Sequence, residues 1–261
     1  MSGHEIEGVT ALVTGASRGF GRGVAIALSR AGAQVVGVAR DRALLEEVRA
    51  ELGGAFTAVP ADAADPVAAG QLIDTYRPAI LVLNAGATPL PRPVQHHTWQ
   101  TFSRNWEVDV AHVFHWTREA LLTPLGPGST VVTLSSGAAL RGSPLSGGYA
   151  GAKAAIRWLT AYAAEESGRD KLGIRFVSLL PQLTPATALG AVFAAAYAAR
   201  QDTDNRGPAP QGTATAAAAA AAAAQALTPD QVGQAVIDLV TADALAADAY
   251  LLTAAGLRPL T

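Results

Sequence analysis

The chain contains no cysteine, and this absence excludes disulfide bonds and thiolate metal sites. It is compatible with a reducing compartment, and we expect a cytoplasmic protein. Charged residues are also few, at 15% of the 261 residues, and the formal net charge is only −2. A nearly balanced charge gives no sign of the basic surface that binds nucleic acid. The N-terminal residues lack the apolar stretch of a signal peptide, and no strongly apolar run reaches membrane-spanning length.

Lysine is scarce as well, with two lysines against seventeen arginines. Arginine stands wherever the chain needs only positive charge, whereas Lys153 stands four residues after Tyr149. On a helix, this spacing places the two side chains on one face, one turn apart. An ammonium group favours the phenolate form of a nearby tyrosine, so the pair suits proton transfer.

Short apolar runs alternate with longer helical stretches along the chain. The runs are continuously apolar, as expected for strands with helices on both faces of their sheet. This alternation predicts a single α/β domain built on a doubly wound parallel sheet of about seven strands. Among the helices, we expect a long one from Thr98 to just before Pro124. The predicted strands are Val9–Thr14, Gln34–Ala39, Ala55–Val59, Ala79–Asn84, Thr130–Ser135, Ile174–Leu180 and Ala249–Thr253.

Residues 182–227 interrupt the alternation. They hold an alanine-rich helical stretch, a polar and proline-rich turn, and an unbroken alanine run at Ala216–Ala224. Alanine forms helices well but gives a helix no amphipathic face for docking. We interpret 182–227 as an insertion within one domain that covers residues 1–261. The alanine run is either a low-complexity surface helix or a stretch with unidentified side chains, and we assign it no chemistry.

A glycine-rich loop links the first predicted strand to the helix after it, and it reads Thr14-Gly15-Ala16-Ser17-Arg18-Gly19-Phe20-Gly21. Glycines permit a tight turn and let backbone amides approach a pyrophosphate at the helix N-terminus. Many turns are glycine-rich, but the strand–loop–helix context favours a dinucleotide site. We expect cofactor contacts from Gly15, Ser17, Arg18, Gly19, Phe20 and Gly21.

Two arginines indicate which dinucleotide is bound. Arg18 lies inside the glycine loop, and Arg40 directly follows the second strand, where an NAD site usually places an acid against the ribose 2′-hydroxyl. Guanidinium groups at these positions suit a 2′-phosphate, so NADP(H) is favoured over NAD(H). The alternative is a pair of solvated arginines, with Asp41 neutralising Arg40.

Three further features follow successive strands. Asp62 comes after the third strand, and Asn84-Ala85-Gly86 ends the fourth, at the edge where open α/β sheets bind ligands. Ser136 follows the fifth strand, thirteen residues before Tyr149. Ser135 stands beside it, so a serine there can also be an ordinary strand-end hydroxyl.

Together with the glycine loop and the tyrosine–lysine pair, these residues occur in the order and at the spacing typical of short-chain dehydrogenases/reductases. The stretch from Gly8 to Leu180 resembles that family. Each motif alone is common, whereas all five in order are specific. The resemblance implies a Rossmann fold and an NAD(P)-dependent oxidoreductase that acts on CH–OH groups.

The resemblance also implies a role for each residue. Tyr149 would be the general acid in reduction and the general base in oxidation. Lys153 would favour the phenolate and hold the nicotinamide ribose hydroxyls. Ser136 would hydrogen-bond the substrate oxygen and so fix the carbonyl for hydride attack. The cofactor would also contact Asp62, Ala63, Asn84, Ala85, Gly86, Tyr149 and Lys153.

One departure from the family pattern concerns the long helix after the fourth strand. The family's usual asparagine is replaced there by Asp109, and Asn105 lies four positions too early to take its place. We place Asp109 in a supporting catalytic position. We hypothesise that it pairs with Lys153 and partly cancels the help given to Tyr149, so that alcohol oxidation needs higher pH.

The second departure is Pro181-Gln182, where the family usually has proline-glycine. A glutamine there fills space near the nicotinamide and restricts the backbone. Thr184 and Thr187 follow, and threonines in this region often contact the carboxamide or the phosphates. We include Pro181, Gln182 and Thr184 among the expected cofactor contacts.

The expected reaction is hydride transfer between NADP(H) and a neutral, fairly hydrophobic ketone or secondary alcohol. The expected pocket consists of Thr88–Leu90, Leu140–Leu145 and a lid at 182–200, with no charge apart from Arg141. Two alternatives stay open. One is an NAD-dependent alcohol dehydrogenase, and the other is a cofactor-binding regulator with weak turnover, motivated by the two departures.

Tryptophans suggest how copies of the chain assemble. They lie on or near the two helices that form the family's usual interface, so a homodimer or homotetramer is expected, although core packing explains them equally well. His112 and His115 stand one turn apart, but no carboxylate or cysteine completes a metal site. We interpret both as surface or interface histidines and expect no metal. The tryptophans are Trp99, Trp106, Trp116 and Trp158.

Overall fold

The computed structural model describes residues 5–182, 188–204 and 227–260, and within them the chain forms eight strands and eight α-helices. The strands are β1 Thr10–Thr14, β2 Gln34–Ala39, β3 Phe56–Pro60, β4 Ile80–Leu83, β5 Thr130–Leu134, β6 Arg175–Pro181, β7 Ala249–Thr253 and β8 Gly256–Pro259. The helices are α1 Gly19–Arg30, α2 Arg42–Leu52, α3 Pro66–Tyr76, α4 Trp99–Asn105, α5 Ala111–Leu122, α6 Gly148–Arg169, α7 Ala188–Asp204 and α8 Pro229–Thr241.

All eight strands join one sheet in the order β3-β2-β1-β4-β5-β6-β7-β8. Neighbouring strands are parallel except β7 and β8. The predicted Rossmann fold is confirmed, and β1 to β7 match the predicted strands to within one residue at each end. Sequence reasoning missed β8 because this short edge strand, which holds Arg258 and Pro259, lacks an apolar run.

The strand order places a crevice at one edge of the sheet. From β1 the chain moves outward through β2 and β3, then returns to the other side of β1 as β4. Connections therefore leave the carboxyl ends of β1 and β4 in opposite directions. Ligands of open α/β sheets bind at such a reversal point.

Helices cover both faces of the sheet. Adjacent residues on β1 point to opposite faces, so Val13 packs in the layer of α1, α2 and α8, and Leu12 packs in the layer of α3, α5 and α6. The starts of the helices follow the sequence closely. Asp65 caps α3 by accepting a hydrogen bond of 2.9 Å from the Val67 amide. Thr98 caps α4 through a reciprocal pair with Thr101.

The long helix expected from Thr98 runs without a break from Trp99 to Leu122, but its middle turn is not α-helical. Between α4 and α5 the residues Trp106–Val110 form a π-helical turn, which is wider than an α-helical turn. Asp109 lies in this turn and is buried. Within the described ranges, no helix combines the length and the apolar character needed to cross a membrane. Residues 183–187 and 205–226, with Thr184, Thr187 and the alanine run, lie outside those ranges.

Candidate active site

Tyr149 and Lys153 lie in the first turns of α6, beside the carboxyl end of β5. The lysine Nζ is 5.7 Å from the centroid of the tyrosine ring. Tyr149 is only 8% exposed, and no residue in the described part of the chain hydrogen-bonds to its phenol oxygen. The phenol therefore stays available to a ligand, with an ammonium group on one side of its ring.

Lys153 is held in place at both its ends. Its Nζ donates to the Leu134 carbonyl at 3.0 Å and forms an ion pair of 3.3 Å with Asp109 Oδ2. Its backbone carbonyl accepts a hydrogen bond of 2.7 Å from Ser135 Oγ. Burial alone lowers the pKa of Lys153, but Asp109 and then Tyr149 outweigh it, so the pKa is raised above its usual value. The side chain is therefore an ammonium at neutral pH.

Asp109 connects the lysine to the turn after β4. It is 1% exposed, and its Oδ1 accepts a hydrogen bond of 2.7 Å from the Ala87 amide. Asn105 Nδ2 donates to the Ala87 carbonyl at 2.9 Å and lies 3.4 Å from both carboxylate oxygens. A Cβ at Gly86 would stand 2.9 Å from Oδ2, so only glycine fits there. Sequence reasoning set Asn105 aside, and the structure places it in this cluster.

The glycine loop is fastened to β4 by Asn84. Its Nδ2 donates to the Thr14 carbonyl at 3.0 Å and to the Gly15 carbonyl at 3.3 Å. A Cβ would lie 2.7 Å from this nitrogen at Gly15 and 2.4 Å from it at Gly21. These two glycines therefore make room for Asn84. Gly19 differs, because its φ is +57° and no atom lies within 4 Å of its missing Cβ, which leaves an open surface.

The N-terminus of α1 is suited to bind an anion. Arg18 is its N-cap residue, and its side chain makes no capping hydrogen bond. By contrast, α2, α3, α4 and α8 are capped by Asp41, Asp65, Thr98 and Thr228. The amides in the first turn of α1 thus lack a side-chain acceptor, next to the open surface at Gly19. This arrangement fits a pyrophosphate.

Arg18 and Arg40 are exposed, and neither guanidinium forms an ion pair within residues 5–182, 188–204 and 227–260. Asp41 Oδ1 instead accepts a hydrogen bond of 3.1 Å from the Leu44 amide. The alternative in which Asp41 neutralises Arg40 is therefore not observed.

The turn after β3 is ordered by short-range hydrogen bonds. Asp62 Oδ1 accepts from the Ala64 amide at 3.0 Å, which fixes the exposed carboxylate beside β3. The Ala63 carbonyl accepts from Trp116 Nε1 at 2.8 Å. Trp116 is fully buried, so this one of the four tryptophans belongs to the core.

His112 is a buried residue that sequence reasoning wrongly assigned to the surface or an interface. It is 0% exposed, and its Nε2 lies 3.1 Å from Thr14 Oγ1. The same hydroxyl accepts from the Asn84 amide at 2.9 Å and from the Ala85 amide at 3.2 Å. Burial first, and then the charge of Lys153, lower the pKa of His112 to about 3. The ring is therefore neutral and supports the turn after β4.

Ser136 caps a short 3₁₀ turn, Gly137–Ala139, directly after β5. Its Oγ accepts a hydrogen bond of 3.2 Å from the Ala138 amide, which leaves the hydroxyl proton for another acceptor. Gln182 lies beside this turn, since a Cβ at Gly137 would be 3.6 Å from its Cα and Cγ. The backbone amide of Gln182 donates to the Leu252 carbonyl at 3.0 Å, which extends the pairing between β6 and β7.

Helix α7 covers Tyr149 through aromatic contacts. Phe193 is 4% exposed, and the centroid of its ring is 5.9 Å from that of Tyr149. Tyr197 lies one turn further, 6.4 Å from Phe193, and its hydroxyl donates to Ser143 Oγ. The described part of α7 thus lies over Tyr149, and its role as a substrate lid stays a prediction.

A cavity of about 290 Å³ opens beyond Ser143. Of the predicted pocket segments, it uses Leu140–Leu145 and the lid, together with the loop before α4. Sequence reasoning did not place Arg200 there. The cavity is lined by Pro93, Val94, Gln95, Phe102, Ser143, Pro144, Gly147 and Arg200. Within the described ranges, no three His, Asp or Glu side chains are grouped to hold a metal.

Known proteins share this fold and sequence pattern. The sequence profile described as short chain dehydrogenase matches residues 9–197. L-xylulose reductase from Bos taurus is 32% identical over 183 residues, which is 69% of this chain and 74% of that protein. Versicolorin reductase 1 from Aspergillus parasiticus is 32% identical over 184 residues, 67% of this chain and 70% of that protein.

Solved structures agree with the sequence matches. A 3-ketoacyl-(acyl-carrier-protein) reductase from Brucella melitensis complexed with NADH has a TM-score of 0.71 at 27% identity, over 91% of this chain and 92% of that one. A short chain dehydrogenase from Burkholderia cenocepacia in complex with NADP has a TM-score of 0.70 at 26% identity, over 92% and 93%. The chain belongs to the short-chain dehydrogenase/reductase family and is an oxidoreductase acting on alcohol and carbonyl groups.

Proposed function

We propose that the protein transfers a hydride between NADP(H) and a ketone or its secondary alcohol, with Tyr149 as general acid and base. The observation that carries this proposal is the Tyr149 phenol, which no described residue hydrogen-bonds, beside the buried ammonium of Lys153 at the reversal point of the sheet. When bound, NADPH supplies the hydride. Tyr149 gives its proton to the carbonyl oxygen, and Ser136 donates a hydrogen bond to the same oxygen.

The residues around the crevice would hold the cofactor. The uncapped N-terminus of α1 would bind the pyrophosphate, and Lys153 would bind the ribose on the nicotinamide side. Asp109 would act through Lys153 as a supporting group. The proposed cofactor contacts are Gly15, Ser17, Arg18, Gly19, Phe20, Gly21, Arg40, Asp62, Ala63, Asn84, Ala85, Gly86, Tyr149, Lys153, Pro181, Gln182 and Thr184.

NADP(H) is proposed over NAD(H) because Arg18 and Arg40 are exposed without a protein carboxylate partner in the described ranges. Titration with NADPH and NADH in parallel, followed by cofactor fluorescence, tests the preference. We expect NADPH to bind at least about tenfold more tightly, since a charge-assisted contact contributes that much. The double variant Arg18→Ser/Arg40→Asp should remove the difference. Equal binding by the unaltered protein contradicts the proposal and favours an NAD-dependent alcohol dehydrogenase.

The substrate is proposed to present a neutral, fairly hydrophobic ketone to the catalytic residues, because Phe193 and the 3₁₀ turn after Ser136 surround them. A screen of small ketones that follows NADPH absorbance tests turnover. Tyr149→Phe should lower kcat by about a thousandfold, the range expected for loss of a general acid, while cofactor binding is retained. NADPH binding without turnover by the unaltered protein would instead support a cofactor-binding regulator, which the Asp109–Lys153 pair favours.

We also propose that the protein is cytoplasmic and forms a homodimer or homotetramer. Exposed aromatic residues on α4, α5 and α6 support the assembly, and Trp158 stacks there on Tyr162. Aromatic side chains are enriched at subunit interfaces. Light scattering coupled to size-exclusion chromatography measures the assembly, and a monomer would contradict it.

A further inference from the structure

The segments around the substrate side of the cleft have an unusual charge. The chain as a whole carries 21 acidic and 19 basic residues. Residues 86–106, 136–164 and 188–200 nevertheless contain no aspartate or glutamate, while they hold five arginines and Lys153. Asp109 lies close to Lys153 but is already used in the ion pair with it. These segments therefore carry net positive charge although the protein is slightly acidic, and positive charge attracts anions. Acidic residues follow close to their ends, at Glu107, Glu165, Asp202 and Asp204.

Arg200 brings one of these charges to the wall of the cavity beyond Ser143. Gln95 and Ser143 add an amide and a hydroxyl, and the other lining residues are apolar or glycine. Within the described ranges, the Arg200 guanidinium forms no ion pair. A guanidinium presents a fork of N–H donors that matches a carboxylate, so it can bind both oxygens of one acid group.

A line of side-chain contacts on α7 runs from Tyr149 to the wall of the cavity. Phe193 lies against Tyr149, Tyr197 lies against Phe193, and the Tyr197 hydroxyl meets Ser143 at the cavity wall. The two ring-to-ring steps are 5.9 Å and 6.4 Å. A substrate that reaches both ends must therefore carry several atoms between its carbonyl and its far group. A volume of about 290 Å³ suits the end of a small molecule and is too small for a second cofactor.

We propose that this cavity binds a carboxylate at the far end of the substrate, with Arg200 as its partner. The inference rests on the proposed function and deepens it, because it makes the substrate an oxo acid with a neutral, apolar reacting end. Arg200 thereby determines specificity without touching the reacting atoms. From the sequence we expected a substrate pocket with no charged residue apart from Arg141, whereas the proposal adds Arg200 as a second one.

The test compares oxo acids with their methyl esters at saturating NADPH. The probes are 5-oxohexanoate, 7-oxooctanoate and 9-oxodecanoate, each beside its ester, in the unaltered protein and in Arg200→Gln and Arg200→Lys. We expect kcat/KM for the acid of best length to exceed that of its ester by about tenfold, as for one charge-assisted contact. The ratio should fall to about one in Arg200→Gln and recover in part in Arg200→Lys.

Arg104→Gln is the matched control, because it removes the same charge from the same acid-free region without lining the cavity. It should keep the ratio of the unaltered protein, and added salt should lower that ratio. An acid-to-ester ratio that Arg200→Gln leaves unchanged, or a preference for the ester, overturns the inference while turnover of the ester still supports the proposed function.

If neither acid nor ester is reduced, the proposed function is wrong. Isothermal titration calorimetry then tests separately whether the cavity binds an acid group. The oxo acids are then titrated into the NADPH-loaded protein. Binding that is weakened about tenfold by Arg200→Gln supports the cavity as an acid site. Binding that is equal in both proteins, or absent from both, contradicts it.

Discussion

The two sides of the candidate active site are held by different forces. On the cofactor side, formed by Thr14–Gly21, Asn84–Ala87, Asp109 and His112, polar groups hydrogen-bond to one another. On the lid side, formed by α7, Phe193 packs between the rings of Tyr149 and Tyr197, and the Tyr197 hydroxyl hydrogen-bonds to Ser143. A polar network in which most groups have partners specifies one geometry, whereas apolar contacts tolerate changes of shape. In this network, His112 Nδ1 is a buried atom without a partner among the described residues. A fixed geometry suits the side that binds the same cofactor in every reaction, and an adaptable surface suits the side that selects the substrate.

The hydroxyl of Thr14 shows how fully the cofactor side is specified. Its two lone pairs accept from the Asn84 and Ala85 amides. Its proton is left for His112 Nε2 at 3.1 Å or for the Val82 carbonyl at 3.3 Å. Since a hydroxyl offers one donor and two acceptor sites, few other arrangements satisfy these groups. Moving one member leaves another buried group without a partner.

The lid side has no comparable network. Among the described elements, no other helix or strand packs broadly against α7. Phe193 is the buried side chain that anchors it over Tyr149. A helix that had only these contacts, the ones seen among the described residues, could move or detach at a small cost in free energy. The comparison between the sides can be tested by disrupting each of them separately.

Removal of the carboxylate of Asp109 should have the largest effect on the cofactor side. Asp109→Leu leaves the Lys153 ammonium buried without its ion-pair partner, so we expect a loss of about 3–5 kcal/mol in the free energy of unfolding. Urea denaturation at neutral pH measures it. Asp74→Leu, on the exposed face of α3, is the control and should change stability little. A loss as small as that of the control would show that the ion pair is not needed for folding.

Asp109→Asn separates charge from shape at the same position. An asparagine can still accept the hydrogen bond from the Ala87 amide, but it brings no negative charge near Tyr149. The phenolate then forms more easily, so the pH–rate profile for alcohol oxidation should shift to lower pH. Steady-state rates from pH 6 to 10 would show the shift, and a profile that does not move would refute the hypothesis that Asp109 restrains the tyrosine.

His112 should make the stability of the protein fall at acid pH. Its pKa is about 3 in the folded protein and about 6.5 when unfolded, so between these values the unfolded state binds the extra proton. Stability therefore falls as the pH drops below 6.5. We expect His112 to contribute a loss of about 2 kcal/mol between pH 7.5 and pH 5. His112→Gln keeps an acceptor for Thr14 without titrating, so its unfolding curves should lose less over this range. Parallel losses in both proteins would exclude His112 as the source.

The cofactor side was also the easier one to predict from the sequence. The glycine loop and the Tyr149–Lys153 spacing are local patterns, and each places its residues through one strand end or one helix turn. The strands were predicted because continuous apolar runs mark buried parallel strands. The ion pair between Asp109 and Lys153 joins two elements, and the departure from the family pattern was enough to suggest it.

Other features depend on contacts between distant segments. His112 and Trp116 stand four residues apart on the buried face of α5, and this periodicity could have identified His112 as buried. The loop that carries Gln95 is far from Arg200 in sequence, and the two line one cavity only in the folded chain, so no local pattern predicts that they meet. The alanine-rich sequence of α7 gives no amphipathic face from which its docking could be inferred.

Phe193→Ala tests the lid side and should have the smallest effect on stability. A phenylalanine in a packed core costs about 3–5 kcal/mol when it is replaced by alanine. Because the described residues make few contacts with α7, we expect the loss to stay below about 1 kcal/mol, as for elements that open locally. The KM for the ketone should rise about tenfold, since the tyrosine loses its apolar cover, while NADPH affinity is unchanged.

Val192→Ala, on the exposed face of α7, is the control. A loss of several kcal/mol, or weaker NADPH binding, would mean that α7 belongs to the same cooperative unit as the cofactor side, and the contrast between the two sides would then be wrong.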